Sequence, residues 1–215
     1  MNNTPRRALV VIDVQNEYDH GGLHIEYPPV ESSLDNIGKA MDAAHAAGIP
    51  VIVVQQMAPA DSPLFATGSH GWQLHPTVAG RPRDHLVQKT LPSAFAGTDL
   101  GDWLQRHDID TLAVVGYMTH NCNDTTIKHA FDAGLLVEFL MDASGSVSYA
   151  NRAGRASAEE IHRVFSVVEQ SRYAAVLNTS EWIDCVASGA LPERDTIHAS
   201  HQRARANQQG CSAAA

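Results

Sequence analysis

The chain has 215 residues, long enough for one domain with a substantial core and too short for two full domains without crowding. Apolar residues make up 44% and no stretch before the C-terminal tail joins high charge to low hydropathy, which excludes a disordered body. A formal net charge of −9 and the lack of a basic cluster argue against nucleic acid and anionic membrane surfaces as partners. The apolar run after Arg6 and Arg7 is too short for a signal-peptide core or a membrane span, so a cytoplasmic location is expected. Three cysteines, Cys122, Cys185 and Cys211, form neither a disulfide framework nor a zinc pattern, so a functional cysteine here acts as a thiol.

In chain order, Ala8 to Val14 is an apolar run ending around Asp13, the pattern of a strand buried on both faces of a parallel sheet. Val30, Leu34, Ile37, Met41 and Ala44 recur at helical spacing, and Gly48 with Pro50 stops that helix. Pro50 to Gln55 reads as the second strand. Some thirty residues rich in Pro, Gly, Ser and His follow without periodicity, and such an excursion in a compact domain is usually functional. His85 to Lys89 reads as a third strand, Thr98 as the cap of a helix carrying Leu100, Trp103 and Leu104, and Thr111 to Gly116 as a fourth strand. A helix from about Asn121 to Ala133 and a strand from Leu135 to Met141 come next. Ser157 and Glu160 make a capping box for a helix expected to turn Ile161, Val164, Phe165 and Val168 inward, and Ala174 to Leu177 is a last strand.

This alternation predicts an α/β fold, a three-layer α/β/α sandwich with a mostly parallel central sheet. Residues 1–188 are assigned to the domain and 189–215 to a polar tail, either partly disordered or an arm that orders on a neighbouring subunit.

Ligands of open parallel sheets bind beyond the carboxyl ends of the strands. Asp13, Lys89 and the segment leading to Cys122 all fall at such ends. Cys122 is placed at the start of a helix, where free N–H groups and the dipole favour a thiolate over a free thiol of pKa ~8.5. Lys89 would add a fixed positive charge, and Asp13 would take the thiol proton and return it to a leaving amine. Taken singly, each residue has a bland reading: a buried small hydrophobe, a turn cap and a solvent-reaching lysine.

The words around them carry more. VIDVQNEY (Val11 to Tyr18), QKTLPSAFAGTDL (Gln88 to Leu100), VVGYMTHNCNDTTIKHAFDAG (Val114 to Gly134) and MDAS (Met141 to Ser144) occur in this order, and the chain from about Ala8 to Thr179 resembles the isochorismatase-like cysteine hydrolases. The resemblance implies a catalytic triad of Asp13, Lys89 and Cys122. It also implies a cis peptide between Tyr117 and Met118 that aims the Met118 N–H, with that of Cys122, at a substrate carbonyl as an oxyanion hole. The function so implied is hydrolysis of a small amide C–N bond through a Cys122 thioester. The alternative is an isochorismatase-type vinyl-ether hydrolysis; a non-catalytic scaffold is a weaker reading, since all three triad types are present. A dinucleotide-binding redox protein is weaker still, because no GxGxxG or P-loop follows the first strand.

Nicotinamidases of this superfamily carry an Asp-x-His pair after the second strand to hold a metal. The matching stretch here is QQMAPAD, so that pair is absent, and His70 and His75 have no acidic ligand near them in sequence. No cofactor and no catalytic metal are expected. Phe65, Trp72 and Leu74 either wall a pocket over the thiol or anchor the loop to the body. The resemblance sets Tyr18 and Phe95 near the site mouth, and Tyr117 and His120 complete the candidate substrate contacts. Asn123, where a hydrophobic residue is more usual, is expected to alter pocket polarity or a subunit contact. The expected partners are a small-molecule substrate and, as is common in the family, further copies of the chain.

Overall fold

The computed structural model describes residues 4–212, from residue 208 on by backbone alone, so the Cys211 side chain lies outside it. The strands are β1 (Arg7–Ile12), β2 (Val51–Gln56), β3 (His85–Lys89), β4 (Thr111–Tyr117), β5 (Leu136–Gly145), β6 (Tyr149–Asn151), β7 (Gly154–Ala156) and β8 (Ala175–Leu177). The helices are α1 (Val30–Ala46), α2 (Pro76–Ala79), α3 (Leu100–Arg106), α4 (Asp124–Asp132), α5 (Ala158–Gln170), α6 (Thr179–Ser188) and α7 (Ile197–Ser212). Six strands form one parallel sheet in the order β3-β2-β1-β4-β5-β8, and β6 and β7 make a separate antiparallel hairpin. With helices on both faces this is the three-layer α/β/α sandwich.

Alternation along the buried strands divides the core in two. Leu9, Val11, Val53, Ala113 and Val115 face α1 (Ile37, Met41) and Trp182 of α6. Ala8, Val10, Ile12, Val54 and Val114 face Trp103 and Leu104 of α3 and Ile127 and Ala130 of α4. Each of the Val, Leu, Ile and Met side chains contributes about 1.5–3 kcal/mol on burial. Near the start of β1, the Arg7 guanidinium takes both oxygens of Glu138 (Nε to Oε2 and Nη2 to Oε1, each 2.9 Å), and the Trp182 indole N–H donates to Oε2 at 2.8 Å. Both carboxylate oxygens of this buried pair are bonded, which favours its tolerance inside the protein.

The first three strands run outward on one side of β1, and the chain then crosses back to lay β4 on its other side. The order therefore reverses between β1 and β4, the switch point where such sheets open a crevice. Gly116 lies opposite Ile12 in register, with φ 104°. A Cβ there would collide with the Ile12 carbonyl oxygen, so only glycine lets the two strand ends approach this closely.

Several elements differ from the sequence reading. β5 runs on to Gly145 through a register shift against β4, and Asp142 within it accepts from Thr179 N (2.8 Å) and Thr179 Oγ1 (2.7 Å) at the start of α6. The cap position of α3 is Asp99, although Thr98 Oγ1 does accept the Leu100 N–H at 3.3 Å. The capping box of α5 is present, yet Val164 and Val168 are 46% and 41% exposed; the helix buries Ala158, Ile161, His162, Ser166 and Glu169. Hydropathy selected the apolar stripe, but the neighbouring stripe turns inward, where His162 Nδ1 contacts Thr119 Oγ1 at 2.8 Å. The stretch after Gly189 carries α7 and is tied to the body by Arg194 Nη2 donating to the Val137 carbonyl at 2.9 Å. Its last residues, 213–215, lie outside the described chain.

Candidate active site

Asp13, Lys89 and Cys122 meet at the switch point. Asp13 follows the last residue of β1 in a left-handed backbone conformation (φ 52°), and its amide donates to Val54 O at 2.9 Å, which fixes the turn. Lys89 is the last residue of β3 and shares the face of Val87. Cys122 lies in a π-helical turn, Thr119–Asn123, that leads into α4. The peptide between Tyr117 and Met118 before that turn is cis.

The Lys89 ammonium is 2.7 Å from Asp13 Oδ2, donates to Gln56 Oε1 at 2.6 Å and to Cys122 Sγ at 3.3 Å. Asp13 and Lys89 have no exposed side-chain surface, and Cys122 is 5% exposed. Burial raises the Asp13 carboxyl against the opposing pull of Lys89. Lys89 is raised although burial lowers it, because the Asp13 and Cys122 charges outweigh that penalty. The site therefore holds a fixed ammonium beside a carboxyl with enhanced proton affinity.

The thiol departs from the sequence expectation. Burial first, and the Asp13 charge second, push Cys122 up to about 12 against the lowering effect of Lys89, so the resting sulfur is protonated. A helix start near a cysteine does not make a thiolate when desolvation acts more strongly. Neither oxygen of Asp13 has a well-directed hydrogen bond, its Lys89 contact being an ion pair, so lone pairs remain to accept a proton.

The residues after Asp13 hold the long excursion over the site. Gln15 Nε2 donates to Trp72 O (2.7 Å) and Gln56 O (3.1 Å), while its Oε1 accepts the Gln56 N–H at 2.9 Å. Asn16 Nδ2 donates to His70 O at 3.1 Å, and the Glu17 carboxylate accepts the Gly22 and Phe65 amides. Segment QNE is thus a strap, and Gln15 and Gln56 are site residues that sequence reasoning missed. Their signal was position: Gln56 is at the carboxyl end of β2, in register with Lys89.

The candidate substrate contacts separate into groups. Tyr18 packs on Phe65 and Tyr117 with ring centroids 5.2 Å apart in each case, and burial followed by the Cys122 and Asp13 charges raises its phenol. Tyr18 with Phe65 therefore borders the site. Tyr117 is wholly buried and its hydroxyl bonds Ser33 Oγ of α1 at 2.6 Å, which makes it a core residue, contrary to its place among the candidates. Trp72 donates to Met57 Sδ at 3.0 Å and offers its carbonyl to Gln15 and Gln55, so it anchors the loop. Phe95 stacks on His129 of α4 at 4.7 Å. His120 bonds Ser146 Oγ (3.1 Å) and the Tyr149 hydroxyl (2.9 Å) and lines a cavity of about 370 Å³ under the β6–β7 hairpin.

Beneath the π turn runs a buried polar network. Thr119 Oγ1 contacts Ser144 Oγ at 2.7 Å and His162 Nδ1 at 2.8 Å, and Asn123 Nδ2 donates to Gly116 O at 2.8 Å and Ser144 Oγ at 2.9 Å. Asn123 is fully buried, so it serves neither pocket polarity nor a subunit contact but fastens the turn to β4 and β5. Burial lowers His162 to about 4, leaving a neutral ring. His75 does have an acid beside it, since the fold brings Asp19 Oδ2 to 3.2 Å from its Nε2, while its Nδ1 accepts the Thr77 amide. Among the described residues, no group of three or more His, Cys, Asp or Glu is arranged to hold a metal ion.

A parallel three-layer sandwich with an acid, an ammonium and a thiol gathered at the switch point defines a class of α/β proteins with a cysteine-centred site. Residues 7–173 match the Isochorismatase domain family, and the chain belongs to the isochorismatase family. A solved structure of a candidate isochorismatase from Burkholderia xenovorans LB400 superposes with a TM-score of 0.95 at 65% identity, covering 96% of this chain and all of that one (100%). The isochorismatase family protein YddQ of Bacillus subtilis is 28% identical over 178 residues, 82% of this chain and 98% of that protein. The nicotinamidase of Escherichia coli is 26% identical over 182 residues, 67% of this chain and 85% of that enzyme.

Proposed function

We propose that this protein is a cysteine hydrolase that cleaves the C–N bond of a small amide through a thioester on Cys122. The observation that carries the reading is one ammonium, Lys89 Nζ, lying 2.7 Å from a buried carboxylate and 3.3 Å from a buried thiol. The nicotinamidase relative, whose name denotes an amide hydrolase, supports the reaction class.

Transfer of the Cys122 proton to Asp13 converts carboxylate, ammonium and thiol into carboxylic acid, ammonium and thiolate. The net charge of the cluster is the same before and after, so burial does not oppose the step as it opposes creating one isolated thiolate. The thiolate adds to the substrate carbonyl, with Met118 and Cys122 N–H groups as oxyanion donors. Asp13 then protonates the departing nitrogen and the C–N bond breaks. Water, deprotonated by Asp13, attacks the thioester, and the thiol reforms with release of the acid. Lys89 keeps its proton throughout and acts by charge alone.

Two assays test this reading: ammonia release from a panel of small amides, and site-resolved alkylation. Cys122→Ala is expected to abolish turnover with an unchanged melting curve, and an electrophile is expected to label Cys122 ahead of Cys185 and Cys211. Turnover by Cys122→Ala, or equal labelling of all three thiols in the folded protein, refutes the thioester route. A carboxyl raised by burial also suits direct protonation of a vinyl ether. Pyruvate release from isochorismate, surviving Cys122→Ala and lost in Asp13→Asn, identifies that second chemistry.

A further inference from the structure

The Lys89 ammonium has three close polar neighbours: Asp13 Oδ2 in an ion pair, and Cys122 Sγ and Gln56 Oε1 as hydrogen-bond acceptors. The third has no part in the proton path above, and its contact is the shortest of the three at 2.6 Å. The amide cannot turn over freely, because Gln56 Nε2 donates to Met57 O at 3.1 Å, which leaves Oε1 facing the lysine. Its main chain is held on both sides by the Gln15 amide, and the β2–β3 register sets it directly beside Lys89.

We propose that Gln56 is a positioning residue: its neutral amide oxygen takes one ammonium N–H and thereby holds the charge between the Asp13 carboxylate and the Cys122 sulfur, with a second N–H on the sulfur. The inference rests on the nucleophile reading of Cys122. Neutrality is the point of the choice. A carboxylate at this position would share the ammonium charge with Asp13 and bring a second anion toward the developing thiolate. An apolar side chain would leave a buried ammonium N–H without an acceptor and free the lysine to swing toward Asp13.

The test is the rate of iodoacetamide alkylation at Cys122, located by mass spectrometry, between pH 7 and pH 10 for wild type, Gln56→Glu and Gln56→Met, with melting curves for each. Gln56→Glu is expected to slow Cys122 alkylation about tenfold or more at each pH, the signature of a thiol raised by at least one pH unit. Gln56→Met is expected to slow it several-fold and decides the matter if Gln56→Glu does not fold. Alkylation rates for the variants that overlay wild type at every pH overturn the proposal, whether or not melting changes, since a merely structural glutamine moves stability alone. Labelling that does not favour Cys122 in the wild type sinks the nucleophile reading instead, so the two failures are told apart.

Discussion

Replacing Lys89 by methionine removes the charge and keeps most of the volume. In the wild type the ammonium lies 2.7 Å from Asp13 Oδ2 with both side chains fully buried, an attraction of about 6 kcal/mol at an effective dielectric constant near 20. Without it, desolvation acts on Asp13 unopposed, and the carboxyl keeps its proton at pH 7. Breaking a buried pair from one side costs about 3–5 kcal/mol, a large part of a total stability of about 5–15 kcal/mol, so the variant folds but melts about 10 °C lower. The sign of the pH dependence follows. A carboxyl whose folded pKa is raised supports the fold below its unfolded value of 3.8 and loses that support as pH rises. The deficit of Lys89→Met should therefore narrow as pH falls from 7 to 5, by at most about 1.4 kcal/mol per pH unit, in so far as loss of the ammonium raises the carboxyl beyond its position in the wild type. Thermal unfolding followed by circular dichroism at both pH values reads this. Amide turnover should fall by about 10²–10⁴, because the base already holds a proton. A variant that melts with the wild type at pH 7, or whose deficit does not change with pH, would falsify the ion pair at the centre of the site.

Three further outcomes are expected. Glu138→Gln leaves the buried Arg7 guanidinium without its counter-charge and should cost about 3–5 kcal/mol in urea unfolding, with turnover per folded molecule unchanged because the pair lies at the opposite end of the sheet. His162, held down to about 4 from an ordinary 6.5, stabilises the fold above pH 6.5 and loses that contribution as pH falls toward 4, by up to about 3 kcal/mol. His162→Asn should flatten that portion of the stability profile, and an unchanged slope would show that the ring is not buried in its neutral form. Gly116→Ala forces a Cβ onto the Ile12 carbonyl at φ 104° and should cost more than about 2 kcal/mol. Because the carbonyl it strikes adjoins Asp13, turnover should fall as well; a neutral substitution contradicts the close approach of β1 and β4.

Much of the frame was legible along the chain. The runs at Ala8, Pro50, Thr111 and Ala174 became sheet strands, His85 to Lys89 matched β3 end to end, and Ser157 with Glu160 capped α5 as read. The shifts came where distant groups intervened. Thr119–Asn123 forms a π turn where Thr119, Asn123, Ser144 and His162 bond one another across the turn, β5 and α5. Leu136–Gly145 outruns its apolar segment because Asp142 is held by Thr179 and Ser144 by the same network. The β6–β7 hairpin and α6 were not read from the sequence, although Asn178 with Glu181 makes a capping box at the start of the latter.

What the amino-acid order determined by itself was the alternation of strand and helix and which reactive side chains stand at strand ends, since both follow from hydrophobic period and local turn chemistry. Tertiary structure decided the rest: that Gln56 stands beside Lys89, that Tyr117 belongs to the core, that α5 turns its polar stripe inward, and that the thiol rests protonated. Those outcomes depend on desolvation and on charges brought together from β1, β2, β3 and the turn after β4. Such energies are set by distance in space, which the spacing of residues along a chain does not contain.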